Sequence, residues 1–543
     1  MVDPIVAGQE ALDIVEEGLS AEHLGPAMWR VADLDLVAAE PALRRLLDRK
    51  FGAPPKPRQG RYRWSQPLAL RWSETEGRWQ HAVVSALVRC GTPASIERLE
   101  QLIAEPRTER NVRELARLAI VRIAPDRAAA IAKALLPSGL AGALNNGSEL
   151  ARGVEALLSS SPIGARDPIV ALFLLDTAAA RTAVFAVVRV ANLTVIGEAG
   201  LMRTLLRLAE LRRDGELFAA IARKIDGHVS GPPQWNGSRY TSGPFGAQTR
   251  AYFRRRVARV LRRLGRADSP HYVAMATEML LAYSDADAQA PRHGGKHTSH
   301  WYDAFARYHV LNDVLYGQSP RYERANYARS AWRCTTSYRP GDPVPAVREE
   351  RFAELWDAAP DASWRLVRDG RAKPVLEHAT RALRANRTYL DKLPDEELSR
   401  ALGSGHALAQ RFAFEIARER PMSMSLASGA LASELDDAHA WVVEWVLDQP
   451  DAALKDPYLI ALLVTGKTSG IRDAAVTLTR ARAMDNAVAR SAAIRAIAMV
   501  LGMPDAAAER ATGAVETFLA VLAEPAREVS VEILRDLIER SKG

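Results

Sequence analysis

Cysteine is almost missing from this chain: Cys90 and Cys334 are the only two in 543 residues. Two thiols so far apart cannot staple a fold of this length, so reduced side chains in a cytoplasmic protein are the expectation. Long apolar runs are missing too. No stretch approaches the roughly 20 apolar residues needed to cross a bilayer, so no membrane partner is expected. The opening MVDPIVAGQEALDIVEEGL has acids where a secretory leader carries its basic segment, which argues against a signal peptide. Alternating β-branched runs closed by Asn-Gly or Asp-Gly turns do not occur in series, which argues against an all-β fold. With 48% hydrophobic and 25% charged residues the composition is that of a globular protein, not a disordered one.

One absence is local. From Gly227 to Ala267 the chain holds no Asp or Glu, but nine arginines: Arg239, Arg250, Arg254, Arg255, Arg256, Arg259, Arg262, Arg263 and Arg266. The formal charge of the whole chain is +8, so this window alone accounts for it and leaves −1 elsewhere. Aromatics make up only 6% of residues, yet about half of them lie between Trp235 and Trp356.

What fills the rest is helical periodicity. Val112, Leu115, Ala116, Ala119 and Ile123 form one apolar stripe over Arg110–Ile123. Further amphipathic segments are expected at 149–158, 167–175, 180–191, 200–211 and 216–225. They resume at 348–357, 374–384, 406–418, 438–447, 460–464, 471–482 and 487–500, with two last helices near 506–522 and 529–541. These segments are short, broken by Pro, Gly and Asp, and pair off at intervals of a few tens of residues. A pair that size cannot bury its own apolar stripe, so neighbours must stack. Composition divides the chain into a cap-like or linker region (1–67) that is basic and aromatic over 39–67, helical repeats (68–228), a central basic aromatic region (229–346) and more repeats (347–543).

Three stretches carry a family likeness: WQHAVVSALVRCGTPASIERLEQLIAE (79–105), GHALAQRFAFEIARE (405–419) and SGIRDAAVTLTRARAMDNAVARSAAIRAIAMVLG (469–502). With an Asp or Arg near the helix start and alanine-rich apolar spacing after it, the chain resembles HEAT or armadillo-like repeat proteins. The resemblance implies an all-α solenoid of stacked helical pairs, here with a loop-rich central insertion. It implies no catalytic residue and no cofactor.

Within the insertion, Gln248–Leu264 reads as a helix with Phe253, Val257, Val260, Leu261 and Leu264 on one face and a guanidinium stripe opposite. Like charges at four-residue spacing each cost about 0.2–0.5 kcal/mol, so an acid-free stripe calls for anions from elsewhere. Guanidinium forks suit phosphate. The candidate nucleic-acid contacts are Arg250, Arg254, Arg255, Arg256, Arg259, Arg262, Arg263 and Arg266, then Arg321, Arg324 and Arg329 from Ser319–Pro343. The rings of Trp235, Tyr240, Tyr322 and Trp332 stand beside them as candidate stacking surfaces. Acids from adjacent helices could equally neutralise the stripe, and the rings could equally pack a core.

Other chemistries find little footing. His293, His297 and His300, with Asp303 and His309 behind, are spaced like metal ligands, but Gly294-Gly295 makes the first part a loop and no metal is expected. Gly466-Lys467-Thr468 lacks the earlier glycine of a phosphate-binding loop, since that position is Ala461 in an apolar helix. The expected function is a non-enzymatic scaffold whose central region binds nucleic acid through about four to six phosphates, giving a log–log salt slope of about −3 to −5. Two alternatives stand beside it. One is an adaptor that docks an acidic protein. The other comes by analogy with bacterial HEAT-like DNA glycosylases, with Asp303 beside Trp301 and Tyr302 as the acid.

Overall fold

The computed structural model describes residues 4–18, 21–48, 76–228, 234–235, 240–241, 245–294, 300–324, 331–345 and 347–541. Among these the chain is predominantly helical, with 31 α-helices and three two-residue antiparallel strand pairs. No helix among them is long and apolar enough to cross a membrane. Several of the helices start where short polar side chains take up free N–H groups of the first turn. Asn146, Thr177 and Asp214 cap Gly147–Ser160, Ala178–Val190 and Gly215–Gly227. Asp456, Thr468 and Asp485 do the same for Pro457–Val464, Ser469–Ala481 and Asn486–Leu501.

The chain divides into two compact units, Met1–Ala359 and Pro360–Gly543. In the second unit, helices pack on partners one to three places along the chain: Lys373–Arg384 on Ala407–Ala417, Asp395–Leu402 on Met424–Ala432, and Pro457–Val464 on Asn486–Leu501. The first unit also has neighbour packing, as between Gly147–Ser160 and Ala178–Val190. It adds contacts that a strict nearest-neighbour stack lacks. The Ile196–Arg212 helix lies across both Glu76–Cys90 and Arg110–Ile123, far earlier in the chain. Its end is turned by Arg213 in the left-handed region (φ 61°). That turn aims the Arg213 guanidinium at Asp35 (2.6 Å) and at the carbonyls of Ala32 and Asp33 (3.1 and 2.7 Å). Three hydrogen bonds from one charged group can offset the 1–3 kcal/mol or so that a non-glycine left-handed residue costs.

The described part of 1–67 forms three helices, Pro4–Glu17, Ala21–Asp33 and Glu40–Leu47; residues 49–67 lie outside the described set. Trp79 ties the third of them to the Glu76–Cys90 helix by donating to the Leu46 carbonyl at 2.6 Å. The strand pairs all fall in the central region: Gln234–Trp235 with Tyr240–Thr241, Arg292–His293 with Trp301–Tyr302, and Tyr322–Glu323 with Arg333–Cys334. Periodicity does not reveal ladders two residues long. Both cysteines are free and buried, and burial pushes each thiol up to about 12.

One expected helix is shortened. The 348–357 segment is helical only over Ala353–Asp357, because Phe352 adopts φ 55° ahead of it. That backbone turn lays the Phe352 ring against Gly265 of the Ala247–Arg266 helix and edge-on to Tyr272, 5.0 Å between centroids. A Cβ at position 265 would run into the ring. Gly265→Ala should therefore destabilise the unit by about 1–3 kcal/mol through overpacking. Helix propensity alone predicts the opposite, a gain of about 1 kcal/mol. Thermal unfolding followed by circular dichroism separates the two: an unchanged or higher midpoint would refute the packing.

Candidate nucleic-acid interface

The arginine-rich segment folds as one helix, Ala247–Arg266, packed between Gly215–Gly227, His271–Leu281 and His309–Leu315. Phe253, Val257, Val260, Leu261 and Leu264 are buried, as their spacing requires. The arginines divide into two sets. Arg254 is 5% exposed and lies against Asp226, itself 1% exposed, with Nε 2.5 Å from Oδ1. Its Nη2 donates to the carbonyls of Asp226 and Arg307, each at 2.8 Å. Asp226 in turn accepts from the Val310 N–H at 3.1 Å, holding the start of the His309–Leu315 helix. Arg256 pairs with Glu210 at 2.8 Å and Arg262 donates to Asp313 at 2.9 Å. Arg263 reaches Asp33 at 2.5 Å and lies 4.3 Å over the Trp29 ring. Arg250 donates to the His228 carbonyl. Apart from Arg250, which meets only a carbonyl, these inward-facing guanidinium groups, expected from their spacing to contact phosphate, are already matched by acids. The acids come from four other segments, which the acid-free local sequence could not disclose.

The second set is unmatched. Arg255, Arg259 and Arg266 are exposed and have no acid within ion-pair distance among the described residues. They recur at i, i+4 and i+11, with Tyr252, 49% exposed, on the same side. At about 1.5 Å of rise per residue, the three arginines span about 16 Å.

The second candidate cluster packs inward. Arg321 is buried, forked onto Glu349 (2.9 and 2.6 Å), and donates to the Tyr338 hydroxyl at 3.0 Å. The rings of Tyr322 and Tyr338 each lie 5.0 Å from its guanidinium carbon. Tyr322 and Trp332 join Cys334 and Tyr338 in a buried core, with Trp301 and Tyr316 against it. Neither Tyr322 nor Trp332 is open for base stacking, and this corrects the expectation for Arg321, Tyr322 and Trp332. The physical reason is size: a loop region without long helices needs large rings to bury enough surface. Tyr322 also donates to Asp303. Burial, then Tyr316 and Asp303, hold its phenol far above the ordinary tyrosine range. Asp303 is thereby engaged in holding the core. Arg324 is exposed. Arg329 lies outside the described residues; Trp235 and Tyr240 are backbone register partners whose side chains lie outside them.

No known protein family, curated protein or solved structure matches this chain.

The histidines sit apart in their bonding. Trp332 Nε1 donates to His309 Nδ1 at 3.2 Å, His300 contacts Arg333 at 2.9 Å, and His293 is edge-on to Trp301. His297 lies outside the described residues. Among the described residues, no three His, Cys, Asp or Glu side chains are grouped to hold a metal ion. Ala461 lies in the Pro457–Val464 helix, and Lys467 is tied to Ser433 O (2.8 Å) and Glu434, so no phosphate-binding loop forms there.

Sequence reasoning missed a polar seam behind the arginine helix. His81, Asn111, Arg166 and Arg207 come from four helices and meet through side-chain contacts. His81 and Arg207 are 126 positions apart, so no local signal announces them. Burial, then Arg207 and Arg256, hold the His81 pKa down to about 3.

These buried groups set the stability of the unit in ways that can be measured. Arg254→Met leaves Asp226 buried and unpaired, and should cost about 3–5 kcal/mol in chemical denaturation. Arg255→Met, by contrast, should stay within about 0.5 kcal/mol of wild type. For His81, the unfolded chain takes a proton near pH 6.5 that the folded chain refuses until about 3. Stability is therefore full above pH 6.5 and falls as pH drops, by up to about 1.4 kcal/mol per pH unit for this group. His81→Gln should flatten that fall; equal pH slopes in the two proteins between pH 7 and 5 would refute the assignment.

Proposed function

We propose that this chain is a non-enzymatic scaffold of stacked helical pairs, of the HEAT or armadillo-like kind, that binds nucleic acid by its phosphate backbone. The reading extends the neighbour packing of the second unit to a repeat architecture. The observation that carries it is the division within one helix. Arg254, Arg256, Arg262 and Arg263 have acids brought to them from other segments, whereas Arg255, Arg259 and Arg266 have none among the described residues. Acids that neutralise one side and spare the other leave a row of free guanidinium groups facing solvent. Tyr252 beside them offers a ring for a base. An acidic protein would meet the same row through carboxylates, and a binding measurement distinguishes it.

The row is shorter than the four to six contacts expected from sequence, so the salt dependence is smaller. Neutralising three phosphates gives a log–log slope of about −2 to −3. Fluorescence anisotropy with labelled single- and double-stranded oligonucleotides at several salt concentrations reads it directly. The combined Arg255→Ser, Arg259→Ser and Arg266→Ser variant should fold normally and lose the salt-dependent binding. Retained affinity in that variant, or no binding by wild type at low salt, defeats the proposal. Capture of an acidic protein with no affinity for oligonucleotide would favour the adaptor.

A further inference from the structure

Arg207 projects from the Ile196–Arg212 helix and is half-buried, yet no carboxylate lies within ion-pair distance of it among the described residues. The two groups it hydrogen-bonds are neutral. Nη1 lies 3.2 Å from His81 Nε2, and Nη2 donates to Asn111 Oδ1 at 3.3 Å. A guanidinium has only donors, so the His81 Nε2 facing it is the unprotonated nitrogen. Asn111 Oδ1 also accepts from Arg166 Nη2 at 2.9 Å, so two guanidinium groups converge on one uncharged oxygen.

The charges around this point do not balance. Arg166 is matched by Glu114 at 2.6 Å and Arg256 by Glu210 at 2.8 Å. Arg110, next to Asn111, is matched by Asp167 at 2.8 Å. Arg207 is left without an ion pair: Arg256 and Arg166 weigh against its charge, and Glu114 and Glu210 favour it only from beyond ion-pair distance. Burial first, and Arg256 second, pull its guanidinium below the ordinary arginine range. A half-buried charge without an ion pair pays desolvation that nothing nearby fully offsets, and groups perturbed in this way cluster at ligand sites. Two of its five N–H donors are in use, so three remain. A tetrahedral oxyanion has the acceptor atoms to take them and the charge to close the balance.

We propose that Arg207, flanked by Arg166 and Arg256, is the centre of a binding site for a phosphate-class oxyanion. The site is made by side chains from the Glu76–Cys90, Arg110–Ile123, Arg166–Leu175, Ile196–Arg212 and Ala247–Arg266 helices. It stands independently of the nucleic-acid reading, which uses the opposite set of arginines. Its phosphate can be free, or one group on a polynucleotide.

The test is the thermal midpoint of the full chain at pH 7 in a phosphate-free buffer, with inorganic phosphate added at constant ionic strength. Phosphate should raise the wild-type midpoint in a saturable way. Arg207→Met should abolish that rise, weakening phosphate binding at least about tenfold. It should also unfold no earlier than wild type without phosphate, because it removes a charge and orphans no acid. Asn111→Asp supplies an internal carboxylate and should raise the phosphate-free midpoint while blocking the phosphate effect. The Arg255, Arg259, Arg266→Ser variant should keep the effect in full. No rise in wild type, a rise that survives in Arg207→Met or Asn111→Asp, or an Arg207→Met chain that unfolds earlier without phosphate, each overturns the proposal. Adding unlabelled decathymidylate then tells the source. Displacement of inorganic phosphate assigns the site to a polynucleotide phosphate, and undisturbed phosphate binding assigns it to a free one.

Discussion

A helix with eight arginines and no acid can be placed inside a folded unit only if other segments bring carboxylates to it. That constraint organises the Met1–Ala359 unit. Asp33, Glu210, Asp226 and Asp313 are each nearly buried, and each meets a guanidinium of the Ala247–Arg266 helix. They come from parts of the chain as far apart as the second helix and the segment after the second hairpin. A buried carboxylate without its arginine is expensive, so these pairings hold the early and central helices in one arrangement. Arg213 reinforces it by closing the end of the Ile196–Arg212 helix onto Asp35 and its neighbours.

The same pairing decides which arginines remain for binding. Neutralisation stops at the helix side that faces protein, and the free row of Arg255, Arg259 and Arg266 begins where it stops. Gly265 lets Phe352 close the end of this helix without disturbing that row. In the polar seam behind it the matching is incomplete by one charge, at Arg207. Free guanidinium groups outside and an unmatched one inside are two consequences of one distribution of acids.

The central interruption follows a different rule. Short ladders and loops bury little aliphatic surface, so large rings supply the core. Tyr322, Trp332 and Tyr338 pack around Cys334, and the Arg321–Glu349 fork is enclosed among tyrosines. A composition rich in arginine and aromatics is shared by RNA-binding surfaces and by cores of this kind. Burial, not composition, separates them.

Apolar spacing alone was enough to locate most helices. Val112, Leu115, Ala116 and Ala119 are buried along Arg110–Ile123, and the buried face of the arginine helix is the one its spacing indicates. Periodicity of 3.6 is a local property, readable within a dozen residues. The left-handed turn at Phe352 and the two-residue ladders were hidden because backbone turns so short leave no period. Charge matching was hidden for a deeper reason: Asp33 and Arg263, or His81 and Arg207, are neighbours only in three dimensions. The sequence by itself determined that the chain is helical and that its positive charge is gathered in one helix. Tertiary structure alone decided which of those arginines are spent on holding the fold and which face solvent, because an ion pair depends on distance in space and not along the chain.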